Sequence, residues 1–314
     1  MIKYLFVFFF SIITILSYVF IARKKKIFDI PNLRSSHTKI TVRGAGIIIP
    51  LIVIFCDKDF IFKNLPFLTG LLLVAIVSFI DDIKSLSNKM RFLAHIFAVL
   101  LIFFQFKFFN LPIYFQLPLF ILYLGIINAV NFMDGINGIS GIYGFVFFFS
   151  IFIISQKSHI SFDSEYLKYI SIALIAFLFF NLRNKAICFL GDVGSVSMAF
   201  IFIYFISEYY FLTNDLRILF FLILYGIDTS YTMIYRLIKK ENIFSAHKSH
   251  LYQLLVNVKN ISPVLIALLY GIIQLAINFC IIYLHNNILQ GLMVLIIAIL
   301  YHFLRKRMNQ SIEF

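Results

Sequence analysis

A chain of 314 residues that is 62% hydrophobic and 13% charged, with a mean hydropathy of +0.97, lies outside the range of soluble domains of its length and reads as a membrane protein. Its net charge of +13 does not point to nucleic acid, because no basic helix or exposed aromatic platform stands apart from the apolar stretches; basic residues on so apolar a chain serve topology and phosphate-bearing substrates. Cys56, Cys188 and Cys280 lie far apart, with no CxxC and no Cys/His pair, so neither a disulfide framework nor a zinc site is indicated.

A span needs about 20 mostly apolar residues. On that scale the chain divides into eleven segments, near 3–22, 44–62, 66–80, 91–109, 112–130, 139–155, 166–182, 193–212, 216–236, 262–284 and 287–304. The first is followed at once by Arg23-Lys24-Lys25-Lys26 and has no basic region before it beyond Lys3, which fits a start-transfer helix better than a cleaved signal peptide. That flank puts residue 23 inside. Alternating from there, the inside loops (23–43, 81–91, 131–138, 183–192, 236–261 and 305–314) hold 20 of the 27 Lys and Arg, and this bias predicts an outside N-terminus and a cytosolic C-terminus. No internal repeat or long linker interrupts the pattern. The expected fold is all-α: one polytopic integral membrane domain, 1–314, of 10–11 transmembrane helices.

Every unusual polar cluster falls on the inside of this map. Arg34-Ser35-Ser36-His37 and Arg43-Gly44-Ala45-Gly46 come first, followed by Asp81-Asp82, which closes the third segment (SFIDDIKSLSNK). Two carboxylates where a helix meets water repel one another, and a divalent cation or a raised pKa relieves that repulsion; Lys84 and Lys89 follow closely. NAVNFMDGINGISG (128–141) sets Asn128, Asn131, Asp134 and Asn137 among glycines, offering the oxygen ligands and close backbone approach that hard cations and phosphates require. FLGDVGS (189–195) places Asp192 between glycines just before a span, where helix N–H groups favour phosphate. In the last basic loop His247-Lys248-Ser249-His250 lies downstream of Arg236, Lys239 and Lys240, a set suited to a diphosphate, to metal or to proton transfer. Asp228 stands apart, inside the ninth apolar segment about 12 Å by helical rise from Arg236. It either touches substrate or pairs with a polar group.

In order and spacing, DIPNLRSSHTKITVRGAG (29–46), SFIDDIKSLSNKMRFLAH (78–95), NAVNFMDGINGISG, FLGDVGS and YRLIKKENIFSAHKSHLYQ (235–253) resemble the signatures of the polyprenyl-phosphate N-acetylhexosamine-1-phosphate transferases. This family, glycosyltransferase family 4, includes the phospho-MurNAc-pentapeptide translocase; the likeness is greatest to its bacterial O-antigen and capsule branch. The resemblance implies transfer of a sugar-1-phosphate from a UDP-N-acetylhexosamine to undecaprenyl phosphate with release of UMP. It also implies a multi-pass protein of the bacterial inner membrane whose site faces the cytosol, a dependence on Mg2+ for which Mn2+ can substitute, and compatibility with a homodimer. Carried over by position, Asp81 and Asp82 match the acidic pair acting on the lipid phosphate, Lys89 a phosphate-binding lysine and Asp192 the metal ligand, with Asn137 a second metal or nucleotide contact. Asn128, Asn131 and Asp134 line the nucleotide region, His247 and His250 face the donor diphosphate and sugar, and Arg43 and His250 neutralise phosphate oxygens. Val42 stands where a proline is common, Ala45 where a glycine is common, and HKSH is shorter in histidine than related motifs, which leaves the donor sugar open. The rival from the residues alone is a multi-span transporter or flippase; such proteins place their sites near the bilayer midplane, where only Asp228 qualifies.

Overall fold

Inside a bilayer no water reaches the main chain, so each apolar run must satisfy its N–H and C=O groups within itself or against neighbouring protein. The computed structural model describes residues 2–31, 36–56, 58–158, 164–242, 248–284 and 286–310. In chain order the helices are α1 (Ile2–Lys25), α2 (Ile48–Cys56), α3 (Lys58–Lys63), α4 (Leu65–Ile83), α5 (Asn88–Gln105), α6 (Ile113–Met133), α7 (Ile139–Ser158) and α8 (Ser164–Asn181). They continue with α9 (Gly191–Thr213), α10 (Ile223–Ile238), α11 (Leu251–Asn257), α12 (Pro263–Tyr283) and α13 (Asn287–Gln310), and two short strands, β1 (Phe28–Asp29) and β2 (Thr41–Val42), lie between α1 and α2. Local chemistry sets several of the boundaries. Pro66 and Pro263 stand in the first turns of α4 and α12, the Ser87 hydroxyl accepts from Met90 N at the start of α5, and Arg23, Lys24 and Lys25 occupy the last turn of α1.

The all-α expectation holds, and each of the eleven apolar segments falls on helix. Among the described residues, nine helical stretches are long and apolar enough to cross a membrane. The segment at 44–62 differs: it is a 3-10 turn (Ala45–Ile47) followed by the short helices α2 and α3. Ile48, Ile49, Ile52 and Val53 of α2 are at most 1% exposed, packed among α8, α9 and α1, so this segment is an interior, broken one; it leaves the α9 N-terminus at Gly46 and ends at Asn64, which bonds Gln105 at the far end of α5. The segment at 166–182 is α8, whose first turns carry Glu165 and Lys168.

At the centre stands α9, apolar all round and 72% buried over its apolar window, against 11% for α13. It packs on α4, α6, α2 and α7. Outward-facing residues such as Phe9 and Ile13 of α1, Ile272 of α12 and Leu295 of α13 remain exposed, the face that acyl chains cover in a bilayer. The N-terminal end of α9 is fastened by a strap absent from the helical reading. Phe28 and Asp29 pair antiparallel with Val42 and Thr41, Val42 bridges to Cys188, Ala45 N donates to Phe189 O (3.0 Å), and Gly46 N donates to Leu190 O (2.8 Å).

Gly46 and Gly194 touch backbone to backbone, and a Cβ on Gly46 would overlap Gly194 Cα and the Leu190 carbonyl oxygen. Gly46→Ala is expected to lower stability by about 1–3 kcal/mol through overpacking. Gly125→Ala, with nothing within 4 Å of its Cβ, is expected to be neutral or stabilising by about 0.5–1 kcal/mol. Thermal unfolding in detergent checks both; a Gly46→Ala protein that melts with the wild type would refute the close approach.

Candidate active site

Asp82 is the innermost member of a charged cluster at the end of the bundle where α4 and α6 finish and α5 and α9 begin. Its side chain is 0% exposed, Oδ1 accepts from Asp192 N (2.9 Å) and from Arg43 Nε (2.5 Å), and Oδ2 accepts from Val193 N (3.0 Å). A carboxylate at the first turn of a helix meets unpaired N–H groups and the positive end of the helix dipole. Asp82 therefore holds the GDVGS turn in place. Gly191 and Gly44 make room for it: both have positive φ (75° and 89°), and a side chain on Gly191 would strike Asp82 Oδ2 and Gly44.

Asp192, so positioned, gathers partners from three other segments. Its Oδ1 meets Arg43 Nη2 (2.9 Å) and accepts from Asn131 Nδ2 (3.2 Å), and its Oδ2 meets Arg91 Nη1 (3.3 Å). Arg91 Nη1 also pairs with Asp81 Oδ2 (2.9 Å), while Asp81 Oδ1 accepts from Leu86 N (2.5 Å). Tyr18 donates to the Arg43 carbonyl (2.7 Å), tying α1 to the same site. The solvent-facing members are Arg43, Arg91 and Asp192, with side chains 30%, 34% and 18% exposed. Three carboxylates against two guanidiniums leave a formal charge of −1 at a site with two arginines on its rim, side chains of the kind that recognise phosphate.

Among the described residues no group of three or more His, Cys, Asp or Glu side chains has the arrangement to hold a metal ion. Mg2+ asks for less: one or two carboxylates, water and substrate phosphates suffice. Asp81 Oδ2 and Asp192 Oδ2 converge on one point, and hard oxygen donors of this kind fit that ion.

A second polar cluster surrounds Asp228, which is 0% exposed. Its Oδ1 accepts from His250 Nδ1 (2.9 Å), Tyr301 OH (3.0 Å) and Leu251 N (3.3 Å), and its Oδ2 from Tyr270 OH (2.7 Å). Of the two alternatives for an intramembrane carboxylate, pairing is the one found, and its partners come from α12, α13 and the start of α11. His250 is 1% exposed and caps α11 together with Gln253. Tyr252 of α11 donates to Phe132 O (2.9 Å), which docks this helix on the last turn of α6, next to Asn131, and joins the two clusters.

Arg43, Asp81, Asp82, Asn131 and Asp192, five of the residues singled out from sequence, thus meet at one place. Others do not join them. Lys89 is exposed near the start of α5, Asn128 donates to Leu124 O within its own helix (2.8 Å), and Asn137 donates to Arg183 O (2.6 Å), clasping the loop before α9. His247, Arg34 and Ser35 lie outside the described residues. His37 packs edge-on to Phe189 at 4.8 Å, two residues before Gly191. One member was missed: Arg91 is separated from Lys89 by one residue, and its place one turn into a helix that follows an acidic pair is a usable signal. Asn181, which accepts from Gly138 N (2.7 Å) and donates to Cys188 O (2.8 Å), braces the neighbouring loops from outside the cluster, and no sequence signal marks it.

Asp134 follows α6 directly. Burial pushes its carboxyl up to about 7, and the negative charges of Asp192 and Asp82 add to the rise. In an unfolded chain the same group titrates near 3.9. The folded protein holds this proton more tightly, so the contribution of Asp134 to stability is full below about pH 4, falls as pH rises and is lost by about pH 7. Asp134→Asn is therefore expected to reduce the drop in melting temperature between about pH 5 and 7; an equal drop in wild type and variant would contradict the shift.

No curated protein matches the chain. Residues 64–209 match the family model described as Glycosyl transferase family 4, a stretch that runs from the residue before α4 into α9 and contains Asp81, Asp82, Arg91, Asn131, Asp134 and Asp192. This match, with the nine apolar helices, supports a multi-pass membrane transferase of the glycosyl transferase family 4 superfamily.

Proposed function

We propose that this protein transfers a sugar-1-phosphate, that of an N-acetylhexosamine, from a UDP-sugar to undecaprenyl phosphate on the cytosolic face of a bacterial inner membrane. The product is the first lipid-linked intermediate of a cell-surface polysaccharide. The observation that carries this reading is the convergence of four separate motifs, Arg43, Asp81-Asp82, Asn131 and Asp192, on one charged cluster at the ends of membrane-length helices.

An oxygen of the lipid phosphate attacks the β-phosphorus of the donor, the bond from that phosphorus to the bridging oxygen breaks, and UMP leaves with that oxygen. Both reactants are anionic, and their repulsion is the barrier that this chain's residues must lower. Mg2+, when bound, supplies charge neutralisation on the donor diphosphate. Asp192 would hold the ion, with Asp81 Oδ2 beside it. Asp81 also receives the proton of the lipid phosphate at the membrane edge, whereas Asp82 acts through the α9 terminus and touches no substrate. Arg43 and Arg91 neutralise phosphate oxygens, Lys89 meets the acceptor phosphate from solvent, and Asn131 and Asp134 flank the nucleotide. His250, tied to Asp228, places the donor-side loop against the turn after α6, and Asn137 shapes that turn.

Purified protein in detergent, given undecaprenyl phosphate and a panel of UDP-N-acetylhexosamines, is expected to release UMP with Mg2+ and not with EDTA. Asp192→Asn should lower that rate at least 100-fold while leaving insertion intact, and unchanged turnover would sink the metal assignment. For orientation, single cysteines at Lys107 and Ser85 in a cysteine-free background test opposite ends of α5: an impermeant thiol reagent on intact cells should label the first and spare the second.

A further inference from the structure

Arg91 Nη1 stands 2.9 Å from Asp81 Oδ2 and 3.3 Å from Asp192 Oδ2, two carboxylates from different motifs meeting one nitrogen. A point shared by two carboxylate oxygens is the seat a hard divalent cation takes, and a guanidinium N–H and a cation cannot both hold it. Resting on the transferase reading, which supplies the cation, we propose that Arg91 competes with the divalent cation for the Asp81–Asp192 oxygens. Displaced by the cation, it turns its guanidinium to a substrate phosphate.

The two arginines of the cluster differ in how they are held. Arg43 is fixed at three points: Nε on the buried Asp82, Nη2 on Asp192, and its own carbonyl on Tyr18. Its removal would undo the α9 terminus. Arg91 lies on the rim, 34% exposed, and its other terminal nitrogen is held by the Asn88 side chain (2.8 Å), three residues earlier on the exposed first turn of α5. It can swing without disturbing the fold. The charge arithmetic gives the exchange a direction: cation entry takes the formal charge of the cluster from −1 to +1, and a freed guanidinium then faces a site that attracts phosphate. The exchange couples cation binding to substrate binding, each favouring the other.

The test is Mn2+ binding to substrate-free protein in detergent, read from the electron paramagnetic resonance of free Mn2+, which does not depend on turnover. Arg91→Gln is expected to bind Mn2+ about tenfold more tightly than wild type while releasing UMP more slowly. Asn88→Ala, an exposed change that removes the second hold on Arg91 and leaves the cluster intact, should shift affinity the same way by a smaller factor. Lys84→Gln, which removes an exposed charge near the cluster, should leave Mn2+ affinity unchanged. Raising ionic strength to about 1 M shrinks the Debye length to about 3 Å, so the difference for Arg91→Gln should persist there if the competition is direct. Equal or weaker Mn2+ binding by Arg91→Gln, or a difference that salt abolishes, would overturn the proposal and leave a Mg2+-dependent wild-type reaction standing. No Mn2+ binding by either protein would overturn it together with the metal in the proposed reaction.

Discussion

A carboxylate with no exposed side-chain surface is several kcal/mol unfavourable unless its charge is answered by geometry, and the way Asp82 is answered organises this end of the molecule. Two N–H groups at the start of α9 and the Arg43 Nε converge on it, so one side chain of α4 fixes the position of α9 and of the strap that carries Arg43. Removing Asp82 would strand two helix-terminal N–H groups and leave the Arg43 guanidinium with Asp192 alone. The positive-φ glycines at 44 and 191 and the contact between Gly46 and Gly194 belong to the same constraint, because the backbones must close to that distance before Asp82 can reach across.

A division of work follows. The buried carboxylates, Asp82 and Asp228, satisfy backbone and side-chain donors and hold helices in register; the partly open groups, Asp192, Arg43 and Arg91, are the ones a ligand can reach. Asp228 does for α10 to α13 what Asp82 does for α4 and α9. It draws a histidine and two tyrosine hydroxyls from other elements onto one carboxylate in an otherwise apolar setting. Tyr252 on the Phe132 carbonyl then links the two halves, so the end of α6, just before Asp134, is held both by Asp192 and by α11.

The placement suits chemistry between a lipid and a water-soluble donor. The cluster sits where membrane-length helices end, its arginines face outward, and the flanks of the bundle are apolar. A lipid phosphate held at that level would leave its chain among the helices. Positioning and charge neutralisation, not a covalent intermediate, are what the cluster's residues can contribute to phosphoryl transfer.

Composition and apolar run length by themselves determined that the chain is a bundle of membrane-length helices, and the Asp, Asn, Gly and Arg motifs singled out residues of which five meet at one end of that bundle. Both were legible because they depend on residues close together in sequence. What the DD motif could not reveal is that its two carboxylates have different duties, since that depends on α9 arriving beside α4. Arg91 rather than Lys89 enters the cluster because the turn of α5 decides which side chain faces Asp81, and Asn137 is directed to Arg183 O by the fold of two loops. The break in the 44–62 segment and the strap were hidden for the same reason: an apolar run of that length reads as one span, and only its enclosure by α8 and α9 lets the main chain pass through a 3-10 turn and two short helices. Local sequence set which segments leave water; only the packed helices decided which charges meet.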